Sequence, residues 1–254
     1  MGIEEVVLLG GMMNTPKLIG AVVHRVQTES TPTIHRLLSH VRASGIHWVP
    51  EPKGVAEGME RLSYIEGVVP HDMPDWIWSK AVLHQVARRL RDWHDATMGF
   101  EMEEAVWALE TKTPHEVICH NDFAPYNCVF QEREMVGLID FDFCAPGSRL
   151  WDMAYTAYRY IPVMPSKRFH ETDDMSPFDS EEVLGRLEIF LGTYSEGNPD
   201  VRFQIKDLLQ VMTERLMAIS EWTRNHAQKS TNASLMKNAE MYASHSKWIR
   251  REWL

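Results

Sequence analysis

The run His120-Asn121-Asp122-Phe123-Ala124-Pro125-Tyr126-Asn127 decides how this chain is read, together with Asp140 at the end of the apolar stretch Val136-Gly137-Leu138-Ile139. Asp122, Asn127 and Asp140 offer hard oxygen-bearing side chains, the donor type that magnesium prefers and that can orient a hydroxyl. Asp and Asn are also common in turns, where they bond nearby backbone, so each alone says little. Their order carries the signal. Apolar, strand-like runs precede His120, follow Asn127 and precede Asp140, which puts all three side chains on loops at strand ends, where a rigid frame usually carries chemistry.

The whole chain bounds the answer. With 254 residues, 44% hydrophobic and 24% charged, it has an ordinary globular composition that excludes disordered and fibrous classes, and it is long enough for one large domain or two lobes. Lys and Arg total 26 against 36 Asp and Glu, a formal charge of −10. Without a segregated basic patch this repels phosphate backbones and anionic lipid, so neither nucleic acid nor membrane is expected as a partner. An acidic surface suits a cationic small substrate, and it serves solubility equally well. Cys119, Cys128 and Cys144 form no CxxC pair and read as reduced thiols. The start Met1-Gly2-Ile3-Glu4-Glu5 is acidic where a secretory signal is basic, and no apolar run nears about eighteen residues, so a cytoplasmic protein is expected.

Val6-Val7-Leu8-Leu9, leading into Gly10-Gly11, and residues 21–26 after a turn at Gly20 read as strands of a small antiparallel sheet. Ser30 or Thr31 as cap and Pro32 in the first turn predict a helix that carries Ile34, Leu37, Leu38 and Val41 up to a stop at Gly45. A further strand pair is expected near residues 53–55 and 61–65. At Glu66-Gly67 the composition shifts to Pro70, Asp72 and Pro74, which places a boundary between an N-terminal lobe, 1–66, and a C-terminal lobe, 67–254. Residues 76–96 predict one amphipathic helix with Ile77, Val82, Leu83, Val86, Leu90 and Trp93 on its apolar side. Short strands are expected at 116–119, 127–130 and 135–139. A polar loop over 166–179 precedes helices over 184–194, 201–226 and 234–253.

Taken in this order, the motifs resemble those of the aminoglycoside phosphotransferase and choline kinase-like superfamily, relatives of the protein kinases. His120, Asp122 and Asn127 fall on that family's HxDxxxxN catalytic loop, and Ile139-Asp140-Phe141 on its metal loop, with Asp140 matching the aspartate of the kinase DFG turn. Gly147 and Asp152-Met153-Ala154 resemble its downstream elements, and residues 90–96 the helix end that precedes the loop. The resemblance implies an α+β, two-lobed, protein-kinase-like fold: a small N-terminal antiparallel sheet with one helix, then a larger, mainly helical C-terminal lobe. It implies that Asp122 is the catalytic base or orienter, that Asn127 and Asp140 hold magnesium, and that Asp152 braces the catalytic loop. Gly10-Gly11, followed by Asn14, resembles the glycine turn over the nucleotide phosphates, where missing side chains let backbone N–H groups approach an anion; otherwise it is a plain turn. Arg25 stands on the third strand, where protein kinases carry the phosphate-pairing Lys, and its planar fork suits phosphate oxygens; otherwise it is an exposed strand arginine. Tyr64-Ile65-Glu66-Gly67 falls at the interlobe hinge, which assigns Tyr64 and Ile65 to the adenine.

One departure matters. The helix Thr33-Ile34-His35-Arg36-Leu37-Leu38-Ser39-His40-Val41 contains no Glu to pair with the third-strand cation. Glu29 precedes it and His35 lies within it, so a displaced acid completes the pair, or the nucleotide is held differently, or binding is lost. The expected activity is transfer of phosphate from ATP or GTP, with magnesium, to a hydroxyl of a small molecule, with a cationic acceptor such as an aminoglycoside or amino alcohol in view. The rival is a catalytically weak or inactive kinase-like protein serving as a binding or immunity protein. A protein kinase is disfavoured because Asp142 replaces the glycine of the DFG turn and no APE-like element follows. His94 and His120 are expected as packed core histidines, and Trp76, Trp78, Tyr155, Tyr158 and Tyr160 as core or lobe interface.

Overall fold

A computed structural model describes residues 5–8, 16–164, 179–198, 202–230 and 232–254. Strands β1 (Glu5–Val7), β2 (Lys17–Ile19), β3 (Val22–Val26), β4 (Pro52–Ala56) and β5 (Met59–Ser63) form an antiparallel sheet in the order β1-β2-β3-β5-β4. The β4–β5 hairpin closes on Glu57-Gly58, at φ 55 and 73, the two-residue left-handed turn whose twist matches that of the flanking strands. Between β3 and β5 the register sets Arg25 opposite Glu60, so these two side chains share one face of the sheet.

Helix α1 (Thr31–Ala43) begins after Ser30 with Pro32 in its first turn and ends before Gly45 at φ 96. It buries Ile34, Leu37, Leu38 and Val41, as its spacing predicts. The expected single helix over 76–96 is instead a short 3-10 turn, Asp75–Trp78, followed by α2 (Lys80–Thr97). The break falls at Ser79, which is extended at ψ 147 and whose Oγ accepts the Val82 N–H at 3.3 Å; a serine that can cap competes with helix continuation. The apolar side remains as read, with Ile77, Val82, Leu83, Val86, Leu90 and Trp93 all buried.

Two small antiparallel pairs follow: β6 (Val117–Cys119) with β9 (Ala145–Gly147), and β7 (Cys128–Gln131) with β8 (Glu134–Leu138). The remaining helices are α3 (Arg149–Tyr160), α4 (Ser180–Tyr194), α5 (Ile205–Ser230) and α6 (Ala233–Trp253). Neither β9 nor α3 is anticipated by pattern. Pro146 sits inside β9, where proline ordinarily argues against a strand, and α3 is buried on nearly every side, so it lacks the one-sided stripe that marks a surface helix. Caps fit the chemistry: Asp179 Oδ1 accepts the Glu182 N–H at 2.9 Å, and Asn232 Oδ1 accepts those of Ser234 and Leu235 at 3.0 and 3.3 Å. The expected polar loop over 166–178 lies outside the described residues.

The architecture is α+β, with the antiparallel sheet and α1 in the N-terminal part and mostly helix toward the C-terminus. Two compact units partition it: Met1–Met73 with Asp92–Ser148, and Pro74–Arg91 with Arg149–Leu254. This division groups residues 92–148 with the N-terminal sheet, and so differs from the boundary at 66/67 expected from composition. Within the first unit Trp93, Ile118, Phe123, Phe130 and Phe141 form a buried apolar centre; within the second, Tyr158, Leu187, Phe190, Met212 and Leu216 do. Cys119, Cys128 and Cys144 are buried thiols outside any disulfide. Among the described residues no helix is long and apolar enough to cross a membrane.

Gly67 is the tightest backbone position, at φ 147, and a Cβ there would lie 2.6 Å from Val129 Cγ1 and 2.7 Å from the Phe130 carbonyl oxygen. That oxygen also accepts the Val68 N–H at 2.8 Å, so it cannot retreat cheaply. Gly67→Ala is expected to cost about 2–4 kcal/mol, combining overpacking with backbone strain. Gly58→Ala, at φ 73 with open space around the new methyl, is expected to cost only about 1 kcal/mol. Urea denaturation of both variants checks this, and equal losses would refute the steric account.

Candidate active site

Residues 120–127 leave β6 as a loop pinned by its own polar side chains. His120 is fully buried, and its Nδ1 accepts the Asp122 backbone N–H at 3.3 Å, so Nε2 carries the proton and donates to the Ile139 carbonyl at 3.2 Å. Asn121 is left-handed at φ 63, and its Nδ2 donates to the Phe143 carbonyl at 2.9 Å. Both side chains therefore tie the loop to the segment around Asp140. Phe141 adds a wedge between them, its ring 5.0 Å from that of His120 and 5.3 Å from that of Trp93, whose indole N–H donates to the Ile118 carbonyl at 2.8 Å.

On this frame Asp122 is held half-buried. Its Oδ1 accepts the Tyr126 hydroxyl at 2.7 Å, and its Oδ2 accepts Asn127 Nδ2 at 2.9 Å. The same Nδ2 donates to the Asp122 main-chain carbonyl at 2.9 Å, which turns the Asn127 amide so that its oxygen faces away from Asp122. The Asn127 carbonyl in turn accepts the Ile139 N–H at 2.9 Å, setting Asn127 beside the residue that precedes Asp140. Asp140 is left-handed at φ 63. Asp122 and Asn127 are thus bonded to each other, and the Asp140 carboxylate is near enough to Asp122 to feel its charge.

Arg25 is the cation of this neighbourhood. Its Nε donates to Glu60 Oε2, and Glu60, fully buried on β5, accepts the His35 Nε2–H through Oε1 at 2.9 Å. The two terminal nitrogens grip Asp142 at 3.0 and 2.7 Å, and Asp140 Oδ1 lies 3.7 Å from one of them. The acid absent from α1 is thus displaced, as one of the sequence options had it, but it comes from β5. Glu29 stays exposed, and α1 contributes His35 instead.

Residues 59–172 match the model of a phosphotransferase enzyme family, a span that includes β5 and both loops. A trifolitoxin immunity protein from Rhizobium leguminosarum bv. trifolii is 34% identical over 151 residues, 56% of this chain and 57% of that protein, so the similarity spans little more than half of that curated relative's length. Among solved structures, Plasmodium vivax ethanolamine kinase matches with a TM-score of 0.68 at 12% identity, covering 96% of this chain and 82% of its own. The ADP-bound aminoglycoside phosphotransferase APH(2")-Ib matches with a TM-score of 0.55 at 15% identity, covering 97% and 94%. At these identities the structures speak for the fold, which is protein-kinase-like. Residues 59–172 thus resemble that phosphotransferase family, and the chain as a whole shares the fold of these kinase structures.

The remaining positions that the resemblance assigns differ in how far the structure describes them. Gly10 and Gly11, with Asn14, lie outside the described residues. Tyr64 is exposed, and its backbone N–H is already given to the Ala21 carbonyl at 3.0 Å. Ile65 lies over Gly137 on β8, so close that a Cβ there would sit 2.7 Å from Ile65 Cγ2. Asp152, in the first turn of α3, is fully buried. Sequence reasoning missed Glu60 and Asp142 as partners of Arg25, and Tyr126 as a partner of Asp122.

The metal positions fit magnesium by donor type. Among the described residues no group of three or more His, Cys, Asp and Glu side chains is placed to hold a metal, so an all-protein cage is not built there. Asn127 Oδ1 and the Asp140 carboxylate form the sparse oxygen set that suits magnesium, which keeps most of its waters and takes phosphate oxygens. Protonation is tuned here. Burial weighs against the Arg25 charge, but Asp142, Glu60 and Asp140 outweigh it and hold the guanidinium above its ordinary range. Asp140 is pushed up to about 6 by burial and by the charge of Asp142, with Asp122 adding and Arg25 opposing. Because 40% of the Asp140 side chain remains exposed, solvent screens part of this effect.

A carboxyl whose folded pKa is raised costs stability above that value, and the cost fades as pH falls and the folded state takes up the proton first. Asp140→Asn is therefore expected to raise the melting temperature of metal-free protein at pH 7.5. The gain should shrink below about pH 6 and vanish near the ordinary Asp value of about 4. Thermal melts in chelator across that range check it; a variant less stable than wild type at pH 7.5 would contradict the assignment.

Proposed function

We propose that this protein is a phosphotransferase that uses ATP or GTP with magnesium to phosphorylate a hydroxyl of a small molecule. The observation that carries this reading is the meeting of Asp122, Asn127 and Asp140, linked by the Asn127 amide on Asp122 and by the Ile139 N–H on the Asn127 carbonyl. Phosphoryl transfer needs little covalent work from a protein; it needs an acceptor oxygen in line and charge neutralised on the phosphates. Asp122, its carboxylate fixed by Tyr126 and Asn127, orients the acceptor hydroxyl and takes its proton. Asn127 and Asp140 would hold magnesium, which neutralises the phosphate oxygens when bound.

The nucleotide then falls to residues 1–66 and the acceptor to residues 67–254. Gly10 and Gly11 cover the phosphates, Arg25 pairs with them, and the hinge meets the base. Ile65 supports that last role: its backbone N–H and C=O make no hydrogen bond among the described residues, whereas the Tyr64 N–H is taken, leaving Ile65 as the better of the two hinge contacts. The formal charge of −10 favours a cationic acceptor such as an aminoglycoside or amino alcohol, and the cytoplasm is the compartment where nucleotide is plentiful.

A second reading rests on the similarity to an immunity protein: the chain protects its host by sequestering a toxic compound, without turnover. The two separate on Asp122. Calorimetry with magnesium nucleotides, followed by a nucleotide-consumption screen against hydroxylated amines, sugars and aminoglycosides, tests the first reading. Asp122→Asn is expected to lower turnover by roughly 10²–10⁴-fold while leaving folding and nucleotide affinity intact. No binding of ATP or GTP at millimolar nucleotide would sink the phosphotransferase, and full protection by Asp122→Asn would favour sequestration.

A further inference from the structure

The cation that faces the phosphates in a kinase-like site must be held by an acid, and here the acid has moved from a helix to a strand. Glu60 stands directly across from Arg25 in the β3–β5 register. The pair is therefore built into a ladder of backbone hydrogen bonds and does not depend on where α1 sits. Glu60 uses one oxygen on Arg25 Nε and the other on His35, so the helix is tethered to the pair rather than supplying it.

Engaging Nε leaves the two terminal nitrogens as a parallel fork, the arrangement that binds carboxylate or phosphate through two hydrogen bonds. Asp142 fills that fork at 3.0 and 2.7 Å. Building on the phosphotransferase reading, we infer that Glu60 is the positioning residue for Arg25, and that Asp142 is an internal stand-in for phosphate, released when nucleotide enters. The two acids touch one guanidinium yet do opposite things. Glu60 is buried and permanent, aiming the fork; Asp142, with a quarter of its side chain exposed, is a competitor for it. In the empty site Asp142 supplies acceptors to terminal nitrogens that would otherwise sit partly desolvated without them.

The opposite roles give a test in which the same change of charge has opposite results. Glu60→Gln and Asp142→Asn each remove one negative charge beside Arg25 and keep side-chain size. Titration calorimetry of magnesium ADP into wild type and both variants, at one salt and pH, is expected to show Glu60→Gln binding about tenfold weaker and Asp142→Asn about three- to tenfold tighter. His35→Ala, which loses only the helix tether, should shift affinity by less than about threefold. If charge alone mattered, both acid variants would tighten binding, and that result would overturn the inference while leaving the phosphotransferase reading in place. Weaker binding by Asp142→Asn would overturn it too, marking Asp142 as a group that helps hold the nucleotide. Should Glu60→Gln fail to fold, Glu60→Asp, which keeps the charge and shortens its reach to Arg25, takes its place: weaker binding supports the positioning role, and unchanged or tighter binding overturns it. Wild-type protein that binds no ADP, ATP or GTP would end the phosphotransferase reading and this inference with it.

Discussion

The guanidinium of Arg25 lies among three carboxylates drawn from separate parts of the chain: Glu60 on β5, and Asp140 and Asp142 beyond β8. Two acids spaced two residues apart on one short turn repel each other, and burial sharpens the repulsion because water no longer screens it. A single planar cation with donors on three nitrogens can bond a buried acid on one side and a pair of acids on the other. The sheet is thereby joined to the loop that follows β8, and removing Arg25 would leave the fully buried Glu60 carboxylate without its cation, the kind of loss that is strongly destabilising.

That loop is joined in turn to the one carrying Asp122, by a different kind of interaction. His120 and Asn121 reach across to the carbonyls of Ile139 and Phe143, while Phe141 packs edge-on against His120. Backbone carbonyls are fixed targets, so two such bonds on either side of Asp140 determine its position more tightly than its own side chain does. The same bonds explain how two residues, Asn121 and Asp140, both persist in left-handed backbone conformations that otherwise cost about 1–3 kcal/mol. Neither loop has the freedom to relax without breaking the other.

What could be read from the sequence divides along the same lines. Asp122, Asn127 and Asp140 were legible because their spacing and the apolar runs around them are local features, and α1 was legible because its proline and its i, i+3, i+4 stripe agree, even though Ser30 makes no side-chain capping bond. Glu60 was not. Its partner strand is β3, which is not its neighbour along the chain, and no local pattern fixes the register between strands that a helix and another strand separate. Asp142 was noticed only as an absence, the glycine it replaces, because a charge-pairing role depends on where Arg25 ends up. The kink at Ser79 and the strand β9 were hidden for another reason: a serine that caps and a proline within a paired segment both contradict the ordinary propensity of their element, and tertiary packing overrode it.

The energetic position of Asp140 bears on why the site exists at all. It sits against the like charge of Asp142, and its pKa is pushed up to about 6 chiefly by burial, while the Arg25 guanidinium 3.7 Å away offsets part of that cost. Asparagine tolerates the same left-handed backbone and would avoid the repulsion. A carboxyl perturbed in this way beside a held cation is the arrangement in which functional groups cluster. The chemistry of the site indicates the kind of occupant. Asp140, Asp142 and Asp122 concentrate negative charge beside Arg25. Under the proposed function, a divalent cation bound there would relieve the carboxylate repulsion, and the phosphate oxygens bound with it would offer Arg25 acceptors in place of Asp142.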